Sequence, residues 1–259
     1  MNLRTNQIGF SQRVRLEWLE QTAGLVLAGN DRSTIFAALE DLLKDKVSIG
    51  GKAVRGNREK IITILMKVWC NVPREFEALR REGLELIKHL PCKDRLAVHW
   101  GMIMAVYPFW AAVATCTGRF LKLQGSAAAA HIQRRLREQY GERETVSRAA
   151  RRVLRSFVDW GVLKETGTKG VYSQGVSLAV SDPRLYSWLI EAFLHTLSSG
   201  QAPLQNILES PALFPFRLSP AVADGALAAS FRLEVLRLGL NEDLVMLRNQ
   251  AGNKTPLYC

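Results

Sequence analysis

The chain has 259 residues, 47% of them hydrophobic, with 35 Lys plus Arg against 24 Asp plus Glu and a formal net charge of +11. That length and composition can bury a substantial core as one or two domains, which excludes intrinsic disorder, collagen-like repeats and disulfide-dense miniproteins. The cationic surplus favours polyanionic partners such as nucleic acid or an anionic membrane surface, with acidic proteins as a further class.

Met1 to Phe10 is polar and lacks the apolar stretch of a secretory signal, so a cytoplasmic location with free thiols is the expectation. Helical spacing follows in Arg13 to Leu27, and Ser33 can cap a second helix running to Leu43. Gly50-Gly51 breaks the pattern within a basic stretch that holds Lys52, Arg55, Arg58 and Lys60. A phosphate loop there would need Gly in place of Lys46 and Ser or Thr in place of Ala53, so a solvated loop with at most an auxiliary phosphate contact is the reading. Asn57 can cap a helix from Arg58 to Cys70, and Pro73 can open the next, which ends before Pro91.

Leu96 to Gly118 carries no Asp, Glu, Lys or Arg and is long enough to span a bilayer. His99 and Pro108 lie inside it, and Tyr107, Phe109 and Trp110 cluster at its middle instead of at both ends. Two buried helical pieces broken before Pro108 fit this better, and no membrane partner is expected. The aromatic-proline clusters Tyr107 to Trp110 and Leu213 to Phe216 read as core corners.

Ser126 to Gly175 is the most informative segment. Ala127 to Tyr140 reads as a helix with an Ile132, Leu136 and Tyr140 stripe, stopped by Gly141. Thr145 can cap a second helix, Val146 to Trp160, ended by Gly161. Val162-Leu163, the turn Thr166 to Gly170 and Val171-Tyr172 then read as a short β-hairpin. Helix, turn, helix and hairpin is the order of a winged helix-turn-helix.

On the second helix, Ala150, Val153, Leu154 and Phe157 follow i, i+3, i+4, i+7, and Arg148, Arg151, Arg152 and Arg155 follow the same rule displaced by two positions. Two positions rotate about 200°, so the apolar and arginine stripes oppose each other. One face packs, and the other presents guanidinium forks suited to phosphates and guanine edges. Asp159 lies beyond Arg155 and can pair with it. From 131 to 175 ten basic residues face five acidic ones, giving +5, whereas 176 to 259 has six against seven, giving −1. Basicity is densest where the motif lies.

No G-x-S-x-G, H-E-x-x-H or G-x-G-x-x-G occurs in a supporting context, and His89, His99, His131 and His195 are widely separated. Cys70, Cys92, Cys116 and Cys259 form no C-x-x-C pair. No catalytic residue, cofactor or metal site is therefore expected. After Asp182-Pro183 an apolar helix is predicted over Leu185 to Leu197, with a last helix from Ala221 to Leu238.

The expected architecture is mostly α: a helical N-terminal domain at 1–124, a winged helix-turn-helix at 125–180 and a helical C-terminal extension at 181–259. Duplex DNA is the expected partner. Arg148, Arg151, Arg152 and Arg155 would lie on the groove, and Arg134 and Arg137 would reach phosphates. Thr145 and Ser147 would hold a phosphate at the helix N-terminus, with Lys164 and Lys169 on the wing. The alternatives are an adaptor that holds partner subunits through the winged unit and acidic tail, and, last, a membrane-tethered protein. Over residues 10 to 175 the pattern resembles BrxA-like proteins of the BREX phage-exclusion systems, most recognisably where Arg155-Ser-Phe-Val-Asp-Trp-Gly-Val-Leu163 closes the basic helix. The resemblance implies a non-catalytic DNA-binding accessory protein of a bacterial defence locus.

Overall fold

A computed structural model describes residues 8–47, 56–239 and 243–248. Gly50-Gly51, Lys52, Arg55 and Cys259 lie outside the described residues. Helices dominate: α1 (Leu16–Leu27), α2 (Arg32–Leu43), α3 (Asn57–Trp69), α4 (Glu77–His89), α5 (Cys92–Val106) and α6 (Pro108–Gln124) precede a short strand β1 (Ser126–Ala128). Then come α7 (Ala129–Tyr140), α8 (Glu144–Asp159) and the strands β2 (Leu163–Glu165), β3 (Val171–Gln174) and β4 (Leu178–Val180). The chain continues as α9 (Pro183–Leu194), β5 (Gln201–Pro203), α10 (Leu204–Leu208), β6 (Phe216–Leu218), α11 (Pro220–Ala228), β7 (Leu233–Arg237) and β8 (Asp243–Leu247).

Pro108 decides the centre of the fold. It cannot continue the hydrogen bonding of α5, so α6 starts with it at its first turn and the two helices bend by 118°. All of Leu96 to Val106 is buried inside protein, and among the described residues no single helix is long and apolar enough to cross a membrane. Trp100 of α5 is fully buried at the hub, with ring centroids 4.8 Å from Phe157, 5.4 Å from Trp110 and 5.5 Å from Phe214. Its indole N–H donates to the Ala212 carbonyl (3.1 Å), so the ring is anchored at its polar edge as well. Both aromatic-proline clusters thus form one core corner. Gly118 permits this approach, because a Cβ there would sit 2.1 Å from the Pro211 carbonyl oxygen.

Several local expectations change. Asp31, not Ser33, caps α2 by accepting from the Thr34 N–H (2.8 Å), and Ser33 instead donates to Asp31 (2.9 Å). Gly56 precedes α3, so Asn57 is its first helical residue. The expected last helix ends at Ala228, and Leu233–Arg237 forms a strand. That strand pairs antiparallel with β8, which in turn pairs with β5, while β4 and β6 make a two-stranded parallel pair. The C-terminal region is therefore helical and stranded together. Its α9 is capped by Asp182 and buries Trp188, Leu189, Ala192 and Phe193 as its apolar spacing requires. One contiguous cluster of buried apolar residues joins Phe10 through Val245.

Candidate nucleic-acid interface

The sequence 126–174 folds around a helix with two chemically distinct faces. Ala150, Val153, Leu154 and Phe157 of α8 are fully buried, and Ile132, Leu136 and Tyr140 of α7 pack as the complementary stripe. Gly141 ends α7 with φ +95°, a backbone conformation that side-chain-bearing residues adopt only with strain. α8 then begins at Glu144 with Arg143 in the capping position and no side-chain cap. Thr145 is an exposed first-turn residue and does not cap the helix, a correction to the sequence reading.

Beyond α8 the chain turns at Gly161 and forms the hairpin β2–β3, in register from Leu163 opposite Gln174 to Glu165 opposite Tyr172. β1 pairs with the other edge of β3, Ala127 opposite Tyr172, giving the sheet order β1-β3-β2. The sequence placed Ala127 in a helix because nothing local marks a three-residue strand whose partner lies so far along the chain. Thr166 and Thr168 close the hairpin tip, and Lys164 and Lys169 are exposed on it.

The exposed ridge of α8 carries Arg148, Arg151 and Arg155. Arg148 donates to Glu144 four residues earlier (2.8 Å), and Arg155 pairs with Glu165 on β2, linking helix to hairpin. Asp159 is engaged by Arg13 instead of Arg155, so that expected pairing is corrected. Arg151, Lys164 and Lys169 have no ion pair among the described residues. Arg148 and Glu144 are both exposed and their pairing is screened by water, so a phosphate can replace the carboxylate at little cost.

Two assignments depart from the expected set. Ser147 is 7% exposed, and its hydroxyl accepts from Arg137 (3.4 Å), whose Nε lies 3.0 Å from Glu142. Ser147 therefore ties α7 to α8 and does not face an outside phosphate. Arg152 turns away from the ridge and donates to the side chain of Gln12. Arg134 stays exposed on α7, 3.8 Å from Glu138, which also holds Arg135 (3.1 Å).

Elsewhere, a cleft of about 840 Å³ carries both arginines and glutamates, and in it Arg232 Nε donates to both carboxylate oxygens of Glu191 (2.7 and 2.8 Å). Its charge is largely matched internally. No group of three or more His, Cys, Asp or Glu among the described residues is placed to hold a metal ion. No family model, curated protein or solved structure matches the chain.

Proposed function

We propose that α6 through β3 act as a winged helix-turn-helix that binds duplex DNA without catalysing a reaction. The supporting order is helix α6, strand β1, helices α7 and α8, then the hairpin β2–β3, with β1 and β2 on opposite edges of β3. The observation that carries the reading is α8 itself. Its apolar face is buried, while Arg148, Arg151 and Arg155 project from the opposite ridge beside a hairpin bearing Lys164 and Lys169. A single helix fits the major groove of B-DNA, where guanidinium forks can bond guanine edges or flanking phosphates.

In this reading Arg151, without an ion pair among the described residues, makes the first groove contact. Arg148 and Arg155 exchange their exposed glutamate partners for DNA, Arg134 reaches the backbone from α7, and Lys169 does so from the hairpin tip. About five phosphate contacts give a log–log salt slope of roughly −4 to −5. Anisotropy of a labelled duplex titrated at several salt concentrations tests this, and a flat salt response contradicts it. A place as accessory subunit in a bacterial phage-defence system follows only from the resemblance to BrxA-like proteins. An adaptor role is the second reading, favoured by the exposure of Phe231 (88%) and Leu238 (64%) near the C-terminal sheet. Alanine at Phe231 that abolished co-purification of partner proteins while sparing DNA affinity would support it.

A further inference from the structure

The segment preceding α1 lies alongside α8. Val14 N–H donates to Ser156 Oγ (2.9 Å), Trp160 Nε1 donates to the Val14 carbonyl (3.0 Å), and Arg13 pairs with Asp159. Toward the start of α8, Gln12 is 5% exposed, accepts from Arg152 and donates through Nε2 to Asn57 Oδ1 of α3 (2.9 Å). These bonds fix the walls of a notch of about 400 Å³ between the arm, α3 and α8. Lys60, Arg148 and Arg152 line it together with Thr145, and among the described residues no carboxylate does.

Within the notch, Arg152 is the unbalanced group. Its Nε is buried without a hydrogen-bond partner, and no carboxylate among the described residues pairs with it. Burial first, then the neighbouring Arg148 and Arg151 guanidiniums, push its pKa below the ordinary arginine value. Other arginines nearby are compensated differently: Arg137, whose Nε is also buried, has Glu142 at 3.0 Å, and Arg155 has Glu165. A partly desolvated guanidinium beside two like charges is unfavourable unless an anion joins it. Lys60, also without an ion pair among the described residues, faces the same space from α3.

We propose that this notch is a phosphate site, in which Lys60, Arg148 and Arg152 hold one backbone phosphate of a bound duplex. The source of that phosphate rests on the DNA-binding reading, whereas the chemistry of the notch does not. Three cations converge here, Arg148 alone having a carboxylate partner, the exposed Glu144 that an anion can displace. This set matches a tetrahedral dianion or a phosphodiester, while the Gln12 bridge already holds Arg152 at the notch.

The test uses the full chain, with Lys60→Met and Arg152→Met as separate variants. Thermal unfolding in inorganic phosphate is compared with chloride at matched pH and ionic strength. Phosphate is expected to raise the wild-type Tm by roughly 2 °C over chloride, and both variants to lose that increment. On duplex DNA each variant is expected to bind with a salt slope smaller in magnitude by about one. An increment that persists in both variants, or is absent from the wild type, overturns the notch, and an unchanged slope with duplex binding intact does so while leaving the DNA reading in place. A variant-sensitive phosphate increment in a protein that binds no duplex overturns the DNA reading and leaves the notch as a phosphate site. The Lys60 side chain makes no hydrogen bond among the described residues, and its backbone bond to Gly56 is kept by methionine, so its variant keeps the test open if Arg152→Met fails to fold.

Discussion

At the scale of single residues, a buried histidine sets an acid limit on the molecule. His99 is fully buried, accepts the Trp69 indole N–H at Nδ1 (3.2 Å) and places Nε2 3.2 Å from Glu20 Oε1. An indole can only donate, so Nδ1 must be the unprotonated nitrogen and Nε2 carries the proton toward Glu20. Burial holds the His99 pKa below its ordinary value of 6.5. Between that depressed value and 6.5 the unfolded chain binds more protons than the folded one, so stability rises with pH there and is lost as pH falls. Thermal melts from pH 8 to pH 5 are expected to show Tm flat above about 6.5 and falling below it, and His99→Gln to remove that inflection. Arginine chemistry at this scale was only partly legible. The type and spacing of Arg148, Arg151 and Arg155 announced an exposed cationic ridge, but Arg152, one step and about 100° around from Arg151, meets Gln12 across 140 positions of sequence. A distant amide leaves no local trace. Arg151→Ala is expected to weaken duplex binding and reduce the salt slope by about one, measurable by anisotropy.

Among the elements, α8 was legible because its two stripes obey one local period, and the burial of Val153, Leu154 and Phe157 follows that period. Leu154→Ala is expected to cost about 2–5 kcal/mol, since the side chain is fully buried between packed helices, and denaturant melts would measure it. The break at Pro108 was legible for a similar local reason. β1 was not, because its partner strand is remote in sequence, Ser173 opposite Ser126, and β7 was not, because the preceding helix was expected to run through it although its hairpin partner follows closely, Asp243 opposite Arg237. Caps failed at a finer grain: Asp31 and Ser33 both offer an oxygen near the start of α2, and only the geometry of the turn selects Asp31. The close approach of α6 to the short helical turn Pro211–Leu213 was likewise hidden. Gly118→Ala forces a methyl to within 2.1 Å of a backbone oxygen, so the backbones must separate. A loss of roughly 2–3 kcal/mol and a Tm several degrees lower are expected.

For the whole molecule, one apolar cluster runs from the arm through α8 to the C-terminal sheet, so the cationic ridge is mounted on the main core. Its aromatic hub around Trp100, Trp110, Phe157 and Trp160 links α5, α6 and α8 directly. In the proposed role, rigid support of this kind would keep the backbone ordering cost of meeting DNA small, which would favour affinity. The net charge of +11 adds long-range attraction to any polyanion, but a general field cannot distinguish the α8 ridge from the rest of the surface. Distribution does: +5 falls within residues 131–175 and −1 within 176–259. The most direct measurement is therefore the anisotropy of a labelled duplex of arbitrary sequence at several salt concentrations, for the wild type and for Arg148→Ala, Arg151→Ala, Arg155→Ala combined. Salt-steep binding with a log–log slope near −4 to −5, reduced in magnitude by about three in the triple variant, is the expected result. Equal affinity and slope in both proteins, or no binding by the wild type at low salt, would contradict DNA recognition by α8.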